Sequence, residues 1–128
     1  MNHVDELEPH TLSSVTFPPV AQRAPRVFPT GATRDSDTDK YDYEGFLAPG
    51  VIERYAAYMH RHRVQLDGTL RASDNWQQGI PRDAYVKSMF RHFMAVWMGH
   101  RNGCVNDDDL CALLFNVFGY LFELQAGR

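Results

Sequence analysis

The chain has 128 residues, with 13 Lys and Arg against 16 Asp and Glu, a formal net charge of -3 with histidine neutral, 44% apolar residues and two cysteines. That length suits one domain rather than two, the mild acidity excludes the basic footprint of a bulk nucleic-acid binder, and Cys104 and Cys111 make neither a disulfide framework nor a zinc pattern. The longest apolar run, Leu110 to Leu124, is interrupted by Asn116, Gly119 and Glu123 and falls short of a membrane span; with no basic and apolar leader at the N-terminus, the expectation is a soluble cytoplasmic protein.

In chain order, residues 1–40 carry Pro9, Pro18, Pro19, Pro25 and Pro29 among Ser, Thr, Arg and Asp with no sustained period, which predicts an extended or disordered arm. Its stretch Arg34 to Lys40 is too polar to offset its ordering entropy, so order there would come from a partner or from the domain surface. Residues 41–128 form the expected helical domain. Pro49 suits a first helical position, and Ile52, Tyr55, Ala56, Met59 and His62 follow on one face of a helix over about 49–64, closed by the turn residues Asp67-Gly68. Asp74 to Pro81 reads as a compact loop or single helical turn plugged into the core by Trp76 and Ile80. Pro81 and Asp83 open a second long helix, whose stripe of Tyr85, Met89, His92, Phe93, Val96, Trp97 and His100 ends at Asn102-Gly103. Asn106 is the candidate N-cap of a third, with Asp107, Asp108 and Asp109 at the positive end of its dipole. This third helix is apolar on nearly every side, as in a bundle centre or a subunit interface. The predicted fold is therefore all-α: a small bundle of three main helices with an extended or disordered N-terminal arm, completing its thin core as a homo-oligomer.

Few residues in this pattern carry chemistry. Asp109, Asn116 and Glu123 recur at i, i+7 and i+14 and form one polar seam, where Asn116 either fixes helix register or contacts a ligand. His92 lies on the apolar stripe as either a core histidine or a functional one; if His100 and Asp109 converge on it, the three supply N and O ligands for a divalent ion of the Mn or Zn type. His60-Arg61-His62-Arg63 places positive charge at a helix C-terminus, suited to the dipole or to phosphates. Asp74-Asn75-Trp76 combines an aromatic plate with amide and carboxylate groups, which suits base recognition and also an ordinary Trp-anchored loop. P-loop, G-x-G-x-x-G, H-E-x-x-H and G-x-S-x-G motifs are absent, as are paired E-x-x-E and E-x-x-D motifs.

The ordered motifs Gly31-Ala32-Thr33-Arg34-Asp35, Lys40 to Pro49, Arg54-Tyr55-Ala56-x-Tyr58-Met59-His60-x-His62-Arg63, and Asn75-Trp76-Gln77-x-Gly79-Ile80-Pro81 resemble a phage-encoded family of dATP/dGTP diphosphohydrolases, including sequences identified as that enzyme's N-terminal domain. The resemblance continues through Tyr85, Arg91-His92, Trp97, Gly99 and Leu110-Cys111-Ala112-x-x-Phe115-Asn116-x-x-Gly119-Tyr120-Leu121 and spans roughly residues 30–124. It implies a MazG-like activity in the host-cell cytoplasm: hydrolysis of a purine deoxynucleoside triphosphate to the monophosphate and pyrophosphate, with Mg²⁺ or Mn²⁺ assisting attack of water on the α-phosphorus. Asn75, Trp76, Gly79, Arg91, His92 and Asn116 match the family pattern; the expectation built on that match and on the charge pattern is that His60, Arg61, Arg63 and Arg91 contact phosphates, Asn75 and Trp76 hold the base, Asn116 contacts substrate, His92 and Asp109 are catalytic, and His92, His100 and Asp109 are the metal candidates. The chain departs from the family pattern at Gly99-His100, where relatives place an acidic residue after the glycine, and at Asp109-x-x-Ala112, where they carry His-x-x-His. The alternative is a non-catalytic phage protein that binds a nucleotide signal or a host defence protein, with the polar arm folding on its partner.

Overall fold

A computed structural model describes residues 24–128. The chain divides into two compact units, Met1–Phe46 and Leu47–Arg128, so the division falls six residues beyond the boundary at 40 expected from composition. Pro9, Pro18 and Pro19 lie outside the described residues.

The described part of the first unit contains a short hairpin and one helical turn. Strands β1 (Arg26–Val27) and β2 (Thr33–Arg34) pair antiparallel, with Arg26 opposite Arg34 and Val27 opposite Thr33. Gly31 at φ +86° closes the turn between them. The Arg26 guanidinium donates to the Asp35 carbonyl at 3.1 Å and to Asp37 Oδ2 at 3.1 Å. Arg26 thus contacts the Arg34 to Lys40 stretch within the same unit. A short helix, α1 (Tyr43–Phe46), follows, with its start capped by Asp42 Oδ1 accepting from the Gly45 N–H at 2.9 Å.

The second unit is the expected all-α bundle of three main helices. Helix α2 (Pro49–Arg61) starts with proline in its first turn, where the missing N–H costs nothing. It ends three residues earlier than the periodicity suggests, because residues 63–71 fold back as a hairpin. Val64 bridges Leu70, the Arg71 N–H donates to the Arg63 carbonyl at 2.7 Å, and Gly68 turns the chain at φ +81°. Asn75–Gln78 form a single 3₁₀ turn. Helix α3 (Arg82–Arg101) stops before Gly103, at φ +71°. Helix α4 (Asp107–Gln125) begins as read, with Asn106 Oδ1 accepting from the Asp108 N–H at 3.0 Å.

Helices α3 and α4 form the main packed pair, while α2 and the 3₁₀ turn rest on α4 through Tyr55 against Phe118, ring centroids 5.5 Å apart, and Trp76 against Phe122, 4.8 Å apart. The buried face of α4 is Cys111, Ala112, Asn116, Gly119 and Glu123, small or polar residues that let α3 come close. Tyr85 lies directly over Gly119: a Cβ there would overlap the phenol ring. Phe93 and Trp97, expected on the inward stripe of α3, are instead about half exposed, because that stripe is wider than the face α4 covers. Both cysteines are free, Cys104 exposed and Cys111 buried. Among the described residues no helix is long and apolar enough to cross a membrane.

Candidate functional site

A cavity of about 660 Å³ opens between α2, the 63–71 hairpin, the 3₁₀ turn and the inner faces of α3 and α4, within the usual range for a small-molecule site. The periodic face of α2 (Ile52, Tyr55, Ala56, Met59 and His62) lines it in full. Trp76, Ile80 and Phe115 extend the aromatic and apolar wall, and Ser73, Asn75, Ser88 and Asn116 add neutral polar groups. Its ionisable lining consists of Tyr55, Tyr58, Arg63, Arg71, His60, His62 and His92, and no Asp or Glu side chain reaches it among the described residues. Burial pushes the Tyr55 hydroxyl up to about 12 and raises that of Tyr58. Both phenols therefore face the cavity uncharged at neutral pH.

The hairpin brings two arginines to the cavity wall. Arg63 and Arg71 are paired backbone to backbone, the Arg63 Nε also donates to the Arg71 carbonyl at 2.8 Å, and among the described residues neither arginine has a carboxylate partner. Asp67 secures the turn by accepting from the Thr69 N–H at 3.0 Å and the Thr69 hydroxyl at 2.6 Å, bonds that hold its carboxyl below the usual range. Arg71 was not among the residues singled out from sequence. Its signal was Asp67-Gly68 between Val64 and Leu70, a hairpin turn rather than a helix end.

The 3₁₀ turn that carries Asn75 and Trp76 is tied to α4. Glu123, 2% exposed, accepts from the Ile80 N–H at 3.1 Å and from Arg128 Nε at 2.7 Å. Arg128 in turn donates to the Gln77 carbonyl at 3.3 Å. The Arg128 guanidinium holds the Glu123 carboxyl below its ordinary range. The third member of the polar seam is thus a tether for the loop, while the second, Asn116, lines the cavity and donates its Nδ2 to its own helix at Ala112 O, 2.7 Å away.

The structure gathers His60, Arg63, Asn75, Trp76, His92 and Asn116 around this one cavity and leaves Arg61, Arg91, His100 and Asp109 off its wall. Arg61 is engaged with Asp108 at 2.6 Å, beside the ion pairs of Arg54 with Asp107 and Asp108 that join α2 to the start of α4. Arg91 donates to Ser88 Oγ at 2.8 Å, and Ser88 itself faces the cavity. Asp109 stands behind His92, with Oδ1 3.7 Å from Nδ1, longer than a hydrogen bond. His100 lies eight residues from His92, about 12 Å along the axis, and is exposed on α3. Among the described residues no group of three His, Cys, Asp or Glu side chains is gathered as a metal ion requires. His92, His100 and Asp109 are thus not brought together as one donor set in this structure.

No protein-family model matches the chain, and no curated protein or solved structure matches it.

Proposed function

We propose that the cavity binds a purine deoxynucleotide, with the base against Trp76 and Asn75 and the phosphates on Arg63, Arg71 and His60. The observation that carries this reading is an aromatic, apolar lining that also includes Arg63 and Arg71, both without an ion pair among the described residues, and no Asp or Glu among the described lining residues. Such a lining favours a ligand that is apolar and planar at one end and anionic at the other. The motif resemblance supplies the purine deoxynucleotide and the reaction. In that reaction water attacks the α-phosphorus, the bond to the bridging oxygen breaks and pyrophosphate leaves. His92, with Asp109 behind its Nδ1, is the cavity group suited to take the proton of the attacking water.

The test is thermal denaturation and calorimetry with dGTP, dATP, the monophosphates and pyrophosphate, followed by product separation on an anion exchanger with and without Mg²⁺ or Mn²⁺. A nucleotide at 100 times its dissociation constant should add about 2.7 kcal/mol of stability. Arg63→Ala should weaken binding about 10- to 100-fold, the loss of a charge-assisted contact. His92→Ala should abolish pyrophosphate release while leaving the chain folded. Equal stabilisation by an uncharged nucleoside would sink the phosphate assignment.

The lack of an Asp or Glu among the described lining residues favours a second reading, in which the same site sequesters a nucleotide without hydrolysing it. Tight binding without turnover under both metals would select that reading.

A further inference from the structure

The α3–α4 wall of the cavity carries two polar groups that the contacts to Trp76, Asn75 and the arginines leave unused. Asn116 lines the cavity and is 5% exposed. Its Nδ2 donates to the Ala112 carbonyl at 2.7 Å, which fixes the orientation of the amide, because the flipped side chain would set oxygen against oxygen. Oδ1 accepts from no group among the described residues. Of the fully enclosed side-chain polar atoms among those residues, the Tyr85 hydroxyl alone lacks a partner. Asn116 Oδ1 is therefore reached from open space, and the space this residue borders is the cavity. Ser88 lies at the same level on the facing helix. Tyr85 over Gly119 and His92 beside Asp109 set α3 and α4 antiparallel, and Ser88 and Asn116 each stand about one turn in from the first of those contacts. Ser88 also lines the cavity, its Oγ accepts from Arg91 at 2.8 Å, and its hydroxyl proton has no acceptor among the described residues.

We infer, on the reading of the cavity as a nucleotide site, that Asn116 and Ser88 read the edge of the base: Asn116 Oδ1 accepts from an amino or ring N–H, and the Ser88 hydroxyl donates to the ring nitrogen or carbonyl beside it. An amide oxygen only accepts, so it repels phosphate and calls for a donor on the uncharged part of the ligand. Ala112 and Phe115 beside it in the lining are apolar. A ligand that displaces water from this wall without supplying a donor leaves a buried acceptor unpaired, and such a site rejects it. The base, rather than the sugar, is the part of a nucleotide that an aromatic and apolar wall takes up. A donor beside an acceptor is the pattern of adenine at N6 and N1 and of guanine at N1 and O6, and asparagine against a purine edge is a recurring pairing. Unsubstituted purine keeps the ring and its nitrogens and has no N–H on that edge.

The test is calorimetry on the full chain with α,β-methylene triphosphates, which cannot release pyrophosphate, of deoxyadenosine, deoxyguanosine, unsubstituted purine 2′-deoxyriboside and 2′,3′-dideoxyadenosine. The unsubstituted purine compound should bind about 10- to 100-fold more weakly than the better of the adenine and guanine compounds, and the dideoxy compound should match its parent. Asn116→Leu should erase the ratio between that better compound and the unsubstituted one. If the leucine variant does not fold, Asn116→Ala makes the same comparison. Ser88→Ala should weaken both compounds several-fold and leave their ratio standing, since each keeps an acceptor on that edge. A side chain that only packs the helix would lower both affinities alike and preserve the ratio. Equal binding of all the bases by the unaltered protein overturns the inference, and so does a ratio that survives in a folded Asn116 variant. Loss of affinity on removal of the 3′-hydroxyl moves the contact to the sugar and overturns the assignment to the base, while an unaffected Ser88→Ala removes Ser88 from it. If none of the four compounds binds, the nucleotide reading of the cavity fails first and takes this inference with it.

Discussion

At the scale of single residues, α4 works by what it lacks. Gly119 admits the Tyr85 ring, so Gly119→Ala drives a methyl group into a phenol that is 1% exposed. Overpacking of this kind costs about 1–3 kcal/mol, and urea denaturation should show a loss of that size that shrinks in a Tyr85→Leu background. At the start of the same helix, Asn106→Ala removes the oxygen that accepts from the Asp108 N–H and should cost about 0.5–2 kcal/mol in the same assay. Asn106 was legible in the sequence because an N-cap is a local device, decided by one side chain and the next three residues. Gly119 was legible only as an interruption of an apolar run. Its reason lies in Tyr85, 34 positions away, and no local pattern carries such a distance.

Among the elements, periodicity found the helices and misread their surroundings. The face of α2 named from spacing is the face that lines the cavity, yet the same spacing carried the helix on toward residue 64, where the chain has already turned into the 63–71 hairpin. The error hid Arg71, and with it the pairing of two arginines across the hairpin base. Valine at position 68 tests the importance of that element, because a β-branched residue at φ +81° is strained by about 1–2 kcal/mol. Gly68→Val should weaken pyrophosphate binding, measured calorimetrically, while far-ultraviolet circular dichroism keeps the helical signal. Unchanged affinity would show that the arginines act without the hairpin holding them. On α3 the stripe read as one face is two: Tyr85, Met89, His92 and Val96 turn inward, whereas Phe93 and Trp97 turn outward. Spacing alone cannot divide an arc that wide, since both halves are apolar and only the position of α4 separates them.

For the molecule as a whole, charge ties the bundle together at its two ends. Arg54 and Arg61 grip Asp107 and Asp108 at one, and Arg128 grips Glu123 at the other. Hydrogen bonds from Arg54 hold Asp107 and, with those from Arg61, Asp108 below the ordinary carboxylate range; the bond from Arg128 does the same for Glu123. A carboxyl whose folded value is lowered adds stability that is complete above its unfolded value, near 4, and drains away as pH falls through the folded one. The urea midpoint should therefore hold steady from neutral pH down to about 5 and fall below about 4. In Arg54→Gln the neutral-pH stability should drop and the acid slope flatten, because less is left to lose on protonation. Composition showed that acids slightly outnumber bases, which says nothing about which acids are gripped. The all-α class was legible because periodicity is a property of each segment; the cavity was legible only in part, since it depends on four segments meeting.

The two thiols give this architecture a clock. Cys104 lies on the exposed connection between α3 and α4, and Cys111 lies one turn into α4 at 4% exposure. An alkylating reagent reaches Cys104 at once and reaches Cys111 only during moments when α4 lifts from its neighbours. The ratio of the two rates, followed by mass spectrometry, therefore counts those openings.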